Sequence, residues 1–301
     1  PIKVLTKALP RKGKPSALHL GLSQAKHEVI FICDAETRLE PDALSHLVRP
    51  LQLDGVLATQ GSIQVENAGV NKLTRAQALA NAWHDGGGLY QELQTKRGRQ
   101  FFLLGRNYCV RKALLEELGG YAGEALTEDI RVSFQLLEMD GRFAFVPRAR
   151  AWEDVPTSMD VLAKQRVRWT AGWNEENSRR MQTTTKKRSA IIGLIEFLVM
   201  ANFVAFYPVL GPIIGLSLFL FAFLGPLIGL SWATNGWLFG LIFFVPGIFC
   251  FLLQIMAARR YARRTGLVKS FFSLFKLYWF MFWSGMKPSK VPEAWEKTEK
   301  E

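Results

Sequence analysis

The sequence has little of what would make it a metal or disulfide scaffold. Its three cysteines, Cys33, Cys109 and Cys250, are widely spaced and form no Cys-x-x-Cys pair. They indicate neither a disulfide framework nor a zinc site, and a reducing compartment suits them. The four histidines, His19, His27, His46 and His84, show no metal-ligand spacing and receive no role. Charge is missing from one long stretch: from Ala190 to Ala258 Glu196 stands as the single acid and no basic residue occurs. The chain starts at Pro1 with no initiator Met and no signal-peptide pattern, and is expected to enter mid-domain.

What is present divides in two. The 301 residues and 49% hydrophobic content hide a mixed charged and apolar stretch up to about Arg188 and an apolar block after it. This organisation suits one soluble domain plus a membrane part rather than one core. The net charge of +12 would suit nucleic acid if it were spread over a binding face. Instead cations gather beside the apolar block, at Arg179, Arg180, Lys186, Lys187 and Arg188 before it and at Arg259, Arg260, Arg263 and Arg264 after it. That is the placement of cytoplasmic flanks of membrane spans, so membrane lipid is the expected partner and nucleic acid is not.

In chain order, Pro1 to Leu5 reads as a short strand, followed by a basic turn, Arg11 to Pro15, and a helix from Ser16 to Ala25. Glu28 to Asp34 is a continuous apolar run ending in an acid, the pattern of a buried parallel strand. Ligands in open α/β sheets sit beyond the carboxyl ends of such strands, which places Asp34 at a ligand. Asp34 and Glu36, two residues apart in a turn, could both reach one hard divalent cation; acids in a post-strand turn are the plainer alternative. Leu39 to Leu44 is expected to start a helix, Val56 to Val65 to form a strand, and Leu73 to about Gln94 an amphipathic helix.

Phe101 to Arg111 reads as an apolar strand interrupted by Gly105, which marks either close approach to the backbone or a simple bulge. Lys112 to Leu118 forms a short helix stopped by Gly119-Gly120. Thr127 is placed as the N-cap of a helix from Ile130 to Met139, with Asp129 in the first turn, where the helix dipole favours a carboxylate. Such a group can take a proton from an attacking hydroxyl; helix capping alone is the alternative. Gln165, Arg168 and Trp169 fall at i, i+3 and i+4 on one face of a helix from about Met159 to Asn177. An amide, a guanidinium fork and an indole on one face suit a diphosphate and a stacked sugar ring, or equally a Trp packed under an Arg.

Lys14, Asp34-Ala35-Glu36, Gly105, Gly119-Gly120, Thr127-Glu128-Asp129 and Gln165-Arg166-Val167-Arg168-Trp169, in this order ahead of apolar segments, resemble the membrane-embedded, processive family 2 glycosyltransferases. That group includes cellulose, chitin, hyaluronan and poly-N-acetylglucosamine synthases. The resemblance implies an α/β domain of the GT-A, Rossmann-like type, N-terminally incomplete here, over residues 1–158. An interfacial helix with a basic flank (159–189), transmembrane and interfacial helices (190–286) and a cytoplasmic tail (287–301) would follow. It implies an inverting enzyme that moves sugar from a UDP-sugar to a growing β-linked polysaccharide with Mg2+ or Mn2+. Asp129 would be the catalytic base. Lys14, Asp34, Gln165 and Arg168 would hold the nucleotide and diphosphate, Asp34 and Glu36 the metal, and Glu128, Trp169 and Gly105 the glycan or lipid acceptor. Trp295 to Thr298 is loosely similar to a gating segment. Two departures stand out: Glu36 where the family has Asp, and no counterpart of the family's first strand.

The apolar segments Ala190 to Tyr207, Val209 to Ala233 and Trp237 to Ala258 each approach spanning length, and Leu267 to Met286 reads as interfacial. The positive-inside tendency at Arg259 to Arg264 favours two crossings, with Ala190 to Tyr207 interfacial or re-entrant; four crossings including the last segment also keep the tail inside, and an even number is expected either way. The expected location is the cell membrane, multi-pass, with the catalytic domain in the cytoplasm. A single-transfer enzyme with a lipid acceptor and a catalytically impaired membrane subunit are the rival readings.

Overall fold

A computed structural model of the chain describes residues 13–82, 102–121, 125–139 and 141–184, with Leu5 and scattered positions between 216 and 280, of which 255–263 are helical. Among these residues five strands, β1 (Val29–Ile32), β2 (Arg38–Leu39), β3 (Val56–Val65), β4 (Tyr108–Arg111) and β5 (Arg142–Glu153), form one sheet. Its order is β1-β4-β3-β5-β2. The helices are α1 (Gly13–Gln24), α2 (Ala43–Val48), α3 (Lys72–Asn81), α4 (Lys112–Glu117), α5 (Glu128–Leu137) and α6 (Met159–Thr184).

The sheet is mixed. β3 runs parallel to β5 and antiparallel to β4, while β1 pairs antiparallel with β4, Val29 facing Arg111 and Ile32 facing Tyr108. The expectation of a parallel β1 is therefore corrected. Its unbroken apolar run arises because both faces are covered, not because its neighbour is parallel. Ile30 and Ile32 belong to a core with Leu22, Leu115, Val132 and Phe143, whereas Val29 and Phe31 pack with Leu47, Leu51 and Cys109 on the opposite face.

β5 is the element to which the sequence assigned nothing. Three arginines and Pro147 interrupt its hydrophobic pattern, yet Phe143, Phe145, Ala149 and Ala151 turn inward. The register with β3 shifts between Gly61 opposite Val146 and Ser62 opposite Arg150. Pro147 thus sits in an irregularity, where a missing N–H costs the ladder nothing.

Other boundaries move for local reasons. α1 begins at Gly13, so Lys14 and Pro15 lie in its first turn rather than in a preceding turn. Leu39 is in β2, opposite Ala151, and the helix expected there waits until Ala43. The strand expected from Phe101 is confined to Tyr108–Arg111, because Gly105 (φ +74°) and Asn107 (φ +53°) turn the chain just before it. α4 ends as expected at Gly119-Gly120, with the Gly120 N–H donating to Leu115 O at 2.7 Å and the Gly119 N–H to Glu116 O at 3.0 Å.

Among the described residues no helix is long and apolar enough to cross a membrane. The segments 190–207, 209–233, 237–258 and 267–286 lie almost wholly outside those residues, as do Pro1–Val4, residues 83–94 and Trp295 to Thr298.

Candidate active site

The site grows from one ammonium group. Lys14 leaves the first turn of α1 and its Nζ lies 2.7 Å from Asp34 Oδ1, 3.2 Å from Glu128 Oε1 and 2.8 Å from the carbonyl oxygen of Gly105. Three separate segments, the end of β1, the loop before β4 and the start of α5, are thereby drawn to one point. Asp34 is at the head of a turn closed by the Thr37 N–H on Asp34 O at 3.0 Å. Glu36 lies in the same turn and is exposed.

Gly105 is glycine for two reasons. Its φ of +74° is unfavourable for any residue with a side chain, and a Cβ there would come 3.0 Å from Asp129 Oδ2 and 3.5 Å from Lys14 Nζ. The close approach expected at this position is thus by Asp129 and Lys14. The loop is pinned from below. Gln60 Nε2 donates to Arg106 O at 3.0 Å while its Oε1 accepts from the Leu104 N–H at 2.9 Å. Buried Asn107 donates to Ser62 O and Ala149 O, and so ties β3 to β5. Ser133 joins the same loop to α5, donating to Asp129 O and accepting from the Leu103 N–H.

α5 starts with Glu128 and Asp129 in its first turn, as expected. Thr127 does not cap it: its side chain makes no cap hydrogen bond, and its buried Oγ1 has no partner among the described residues. The reason is α6, which passes so close that a Cβ on Gly172 would stand 2.5 Å from Thr127 Cγ2 and 2.6 Å from Oγ1. Two further contacts clamp α6 onto α5. Arg131 donates to buried Glu176 at 2.8 Å, and Trp173 meets Phe102 edge-on with ring centres 4.6 Å apart. Phe134 completes the aromatic group, its ring centre 5.4 Å from that of Phe102.

This clamp carries Arg168 into the electrostatic field of the site. Burial lowers its pKa and the charges of Glu128, Asp129 and Asp34 oppose that. Burial also works against the charge on Lys14, but Glu128 and Asp34 outweigh it and the ammonium is held above its ordinary value. Asp129 moves the other way from a normal carboxylate. Burial, reinforced by the Glu128 charge, pushes it up to about 7 against the opposing pull of Lys14, the Ile130 N–H and Arg106. A carboxyl poised there can hold or release a proton near neutrality.

Of the residues expected to form a site, Lys14, Asp34, Gly105, Glu128, Asp129 and Arg168 come together. Gln165 and Trp169 are half-buried on α6, and the Arg166 guanidinium sits over the Trp169 ring, 4.5 Å from its centre. Sequence reasoning passed over Gln60, Arg106, Asn107, Ser133, Glu153, Gly172 and Glu176. Arg106 and Glu153 form a half-buried ion pair linking the Gly105 loop to the end of β5. Gly172, four residues past Arg168 on the helix that was expected, was the one with a visible signal.

Among the described residues no cluster of three His, Cys, Asp or Glu side chains could enclose a metal ion. The Asp34–Thr37 turn does offer two carboxylates with hard oxygen donors, one half-buried and one exposed. This set fits an ion that takes one or two protein carboxylates and completes its shell with substrate phosphate oxygens and water.

The mixed α/β sheet that carries these side chains is a GT-A-like glycosyltransferase fold. The chain belongs to glycosyl transferase family group 2, whose model matches residues 29–287. It is 31% identical over 165 residues to a probable glycosyltransferase of Bacillus subtilis (strain 168), covering 54% of this chain and 38% of that protein. It is 29% identical over 200 residues to the poly-beta-1,6-N-acetyl-D-glucosamine synthase of Staphylococcus epidermidis, covering 66% and 48%. The match to the Staphylococcus aureus (strain COL) protein of the same name is 28% over 187 residues, covering 62% and 45%. The chain spans less than half the length of these relatives. A solved mannosyltransferase from Pyrobaculum calidifontis, in complex with GDP-Man and Mn2+, aligns at TM-score 0.48 and 16% identity over 92% of this chain and 66% of that one.

Proposed function

We propose that the chain is the catalytic and membrane portion of an inverting polysaccharide synthase. It transfers sugar from a UDP-sugar to the end of a β-linked glycan at the cytoplasmic face of the cell membrane. The observation that carries the chemistry is the Lys14 junction, which sets Asp129 beside Gly105 with Asp34 and Arg168 within electrostatic reach.

The donor's diphosphate lies against Arg168, and Lys14, its three N–H groups held by Asp34, Glu128 and the Gly105 carbonyl, adds positive charge from behind where negative charge develops. Asp34 and Glu36 would hold a Mg2+ or Mn2+ ion, which would supply positive charge to the diphosphate. Asp129 accepts the proton of the acceptor hydroxyl as its oxygen bonds to the anomeric carbon. The bond from that carbon to the diphosphate oxygen breaks, and its electron pair leaves with UDP. One displacement inverts the anomeric centre. Glu128 is committed to Lys14 and keeps the neighbouring charge that holds the Asp129 carboxyl high. Gln165 lies with Arg168 toward the diphosphate, and Trp169 extends the α6 face along which the acceptor sugar lies.

The membrane assignment draws on the apolar block in the sequence and on exposed leucines at helical positions. Leu216, Leu220 and Leu224, four residues apart, are each about half exposed, as a lipid-facing row would be. Similarity to the poly-beta-1,6-N-acetyl-D-glucosamine synthases supports a glycan product. The test is release of UDP from a panel of UDP-sugars by the full-length protein in membranes, with and without EDTA, with product sizing. Metal-dependent release with one sugar and long products is expected. A folded, inserted protein that releases no UDP from any donor overturns the reading, and single-sugar products transfer it to a lipid-acceptor enzyme.

A further inference from the structure

We propose that the helix at residues 255–263 holds the headgroup of an anionic phospholipid in a cleft lined by Met256, Arg259, Arg260 and Arg263. The cleft has a volume of about 470 Å³. It lies outside the Lys14 junction and uses none of its residues. Positions 256, 259, 260 and 263 follow i, i+3, i+4, i+7 spacing, so the four side chains share one helix face. Ala257, Ala258 and Ala262 are buried, so the helix packs by its small residues and presents Met256 and the arginines outward.

Two features select the ligand. The first is charge: the sequence has no acidic residue between Glu196 and Glu293, and no ion pair joins these arginines to a carboxylate among the described residues. Guanidinium groups in this setting match phosphate oxygens, which they can hold in pairs. The second is polarity. Val245, Leu252 and Met256 are exposed and helical, and their sequence spacing leads into the arginines. A ligand with a phosphate head and apolar tails satisfies both features. Inorganic phosphate would satisfy only one.

The inference rests on the membrane reading above, and its test separates the two. The full-length protein is first floated with vesicles of phosphatidylcholine alone; failure to float sinks the membrane reading and this site with it. Detergent-purified protein is then titrated with dioctanoyl phosphatidylglycerol, dioctanoyl phosphatidylcholine or inorganic phosphate, and bound lipid is counted by mass spectrometry of the intact complex. Retention of phosphatidylglycerol over phosphatidylcholine is expected, with phosphate a poor competitor. At about fivefold per arginine, Arg263→Gln should weaken binding about fivefold, and Arg259→Gln/Arg260→Gln/Arg263→Gln roughly a hundredfold. The single variant keeps the test usable if the triple variant does not fold. A protein that floats but retains both lipids equally, or whose variants bind phosphatidylglycerol like the parent, overturns the site. Competition by phosphate as strong as that by the lipid reassigns it to a free anion.

Discussion

Replacing Asp129 with Asn keeps shape and removes one ionisable group at the centre of the site. A carboxyl that titrates near 7 in the fold and near 3.8 in the unfolded chain has its ionised form disfavoured by burial. At 1.36 kcal/mol per pH unit the difference corresponds to roughly 4 kcal/mol, and water reaching the half-buried group reduces this to roughly 2 kcal/mol. The sign follows from proton counting. Below pH 3.8 both states are protonated and Asp129 contributes nothing to pH dependence. Between 3.8 and about 7 the unfolded chain gives up its proton first, so stability falls as pH rises, and above 7 the loss is complete. Asp129→Asn has no such slope. Measured by thermal unfolding of purified protein, it should match the parent near pH 4 and exceed it at pH 8 by roughly 4–8 °C. Transfer should be abolished. In the parent, kcat/KM should rise with pH to a plateau above about 7, because the free enzyme's base must be ionised. Parallel stability curves for parent and variant, or a rate that is flat from pH 5 upward, would refute the assignment of both burial and role.

Breaking the clamp between α5 and α6 gives a second test. Glu176→Gln leaves the buried Arg131 guanidinium with only the partly exposed Glu175, 3.3 Å away, as a charge partner and should cost about 2 kcal/mol, read as a lower melting temperature with activity lost in parallel. Gly105→Ala places a Cβ against Asp129 Oδ2 in a left-handed conformation; roughly 1–2 kcal/mol of strain is expected, with UDP release falling further than stability does. Removing divalent cations with EDTA should stop transfer, and Glu36→Ala should raise the metal concentration needed for half-maximal rate while the melting temperature of the metal-free protein stays unchanged. An unaltered metal requirement in that variant would take Glu36 out of the site.

The residues that converge here were legible because acids at a strand end, acids at a helix start and a guanidinium on one helix face are local patterns. Asp34, Asp129 and Arg168 each announce themselves within a few neighbours. What joins them does not. Lys14 reaches the Gly105 carbonyl across 91 residues of sequence, and nothing local distinguishes it from Lys12 in the same basic stretch. β5 escaped because its arginines and Pro147 imitate a surface loop, although its pleat buries Phe143 and Phe145. Thr127 misled for a tertiary reason: its sequence context suits a cap, but contact with Gly172 on α6 takes precedence.

Lys14 also bears on the order in which the protein acquires activity. Its partners are the end of β1, the loop before β4 and the first turn of α5, the last of these farther along the chain than the Gly105 loop. The sheet joins segments just as remote, β1 with β4 and β2 with β5, but Lys14 and Glu128 ride on helices that must still dock against it before the junction closes. A nascent or partly opened molecule can therefore hold its sheet, with Asp34 near Gly105 through the β1–β4 pairing, while Lys14 on α1 and Glu128 on α5 are not yet docked. Activity then reports completion of the fold rather than its onset, and recovery of UDP release after refolding should lag behind recovery of strand structure.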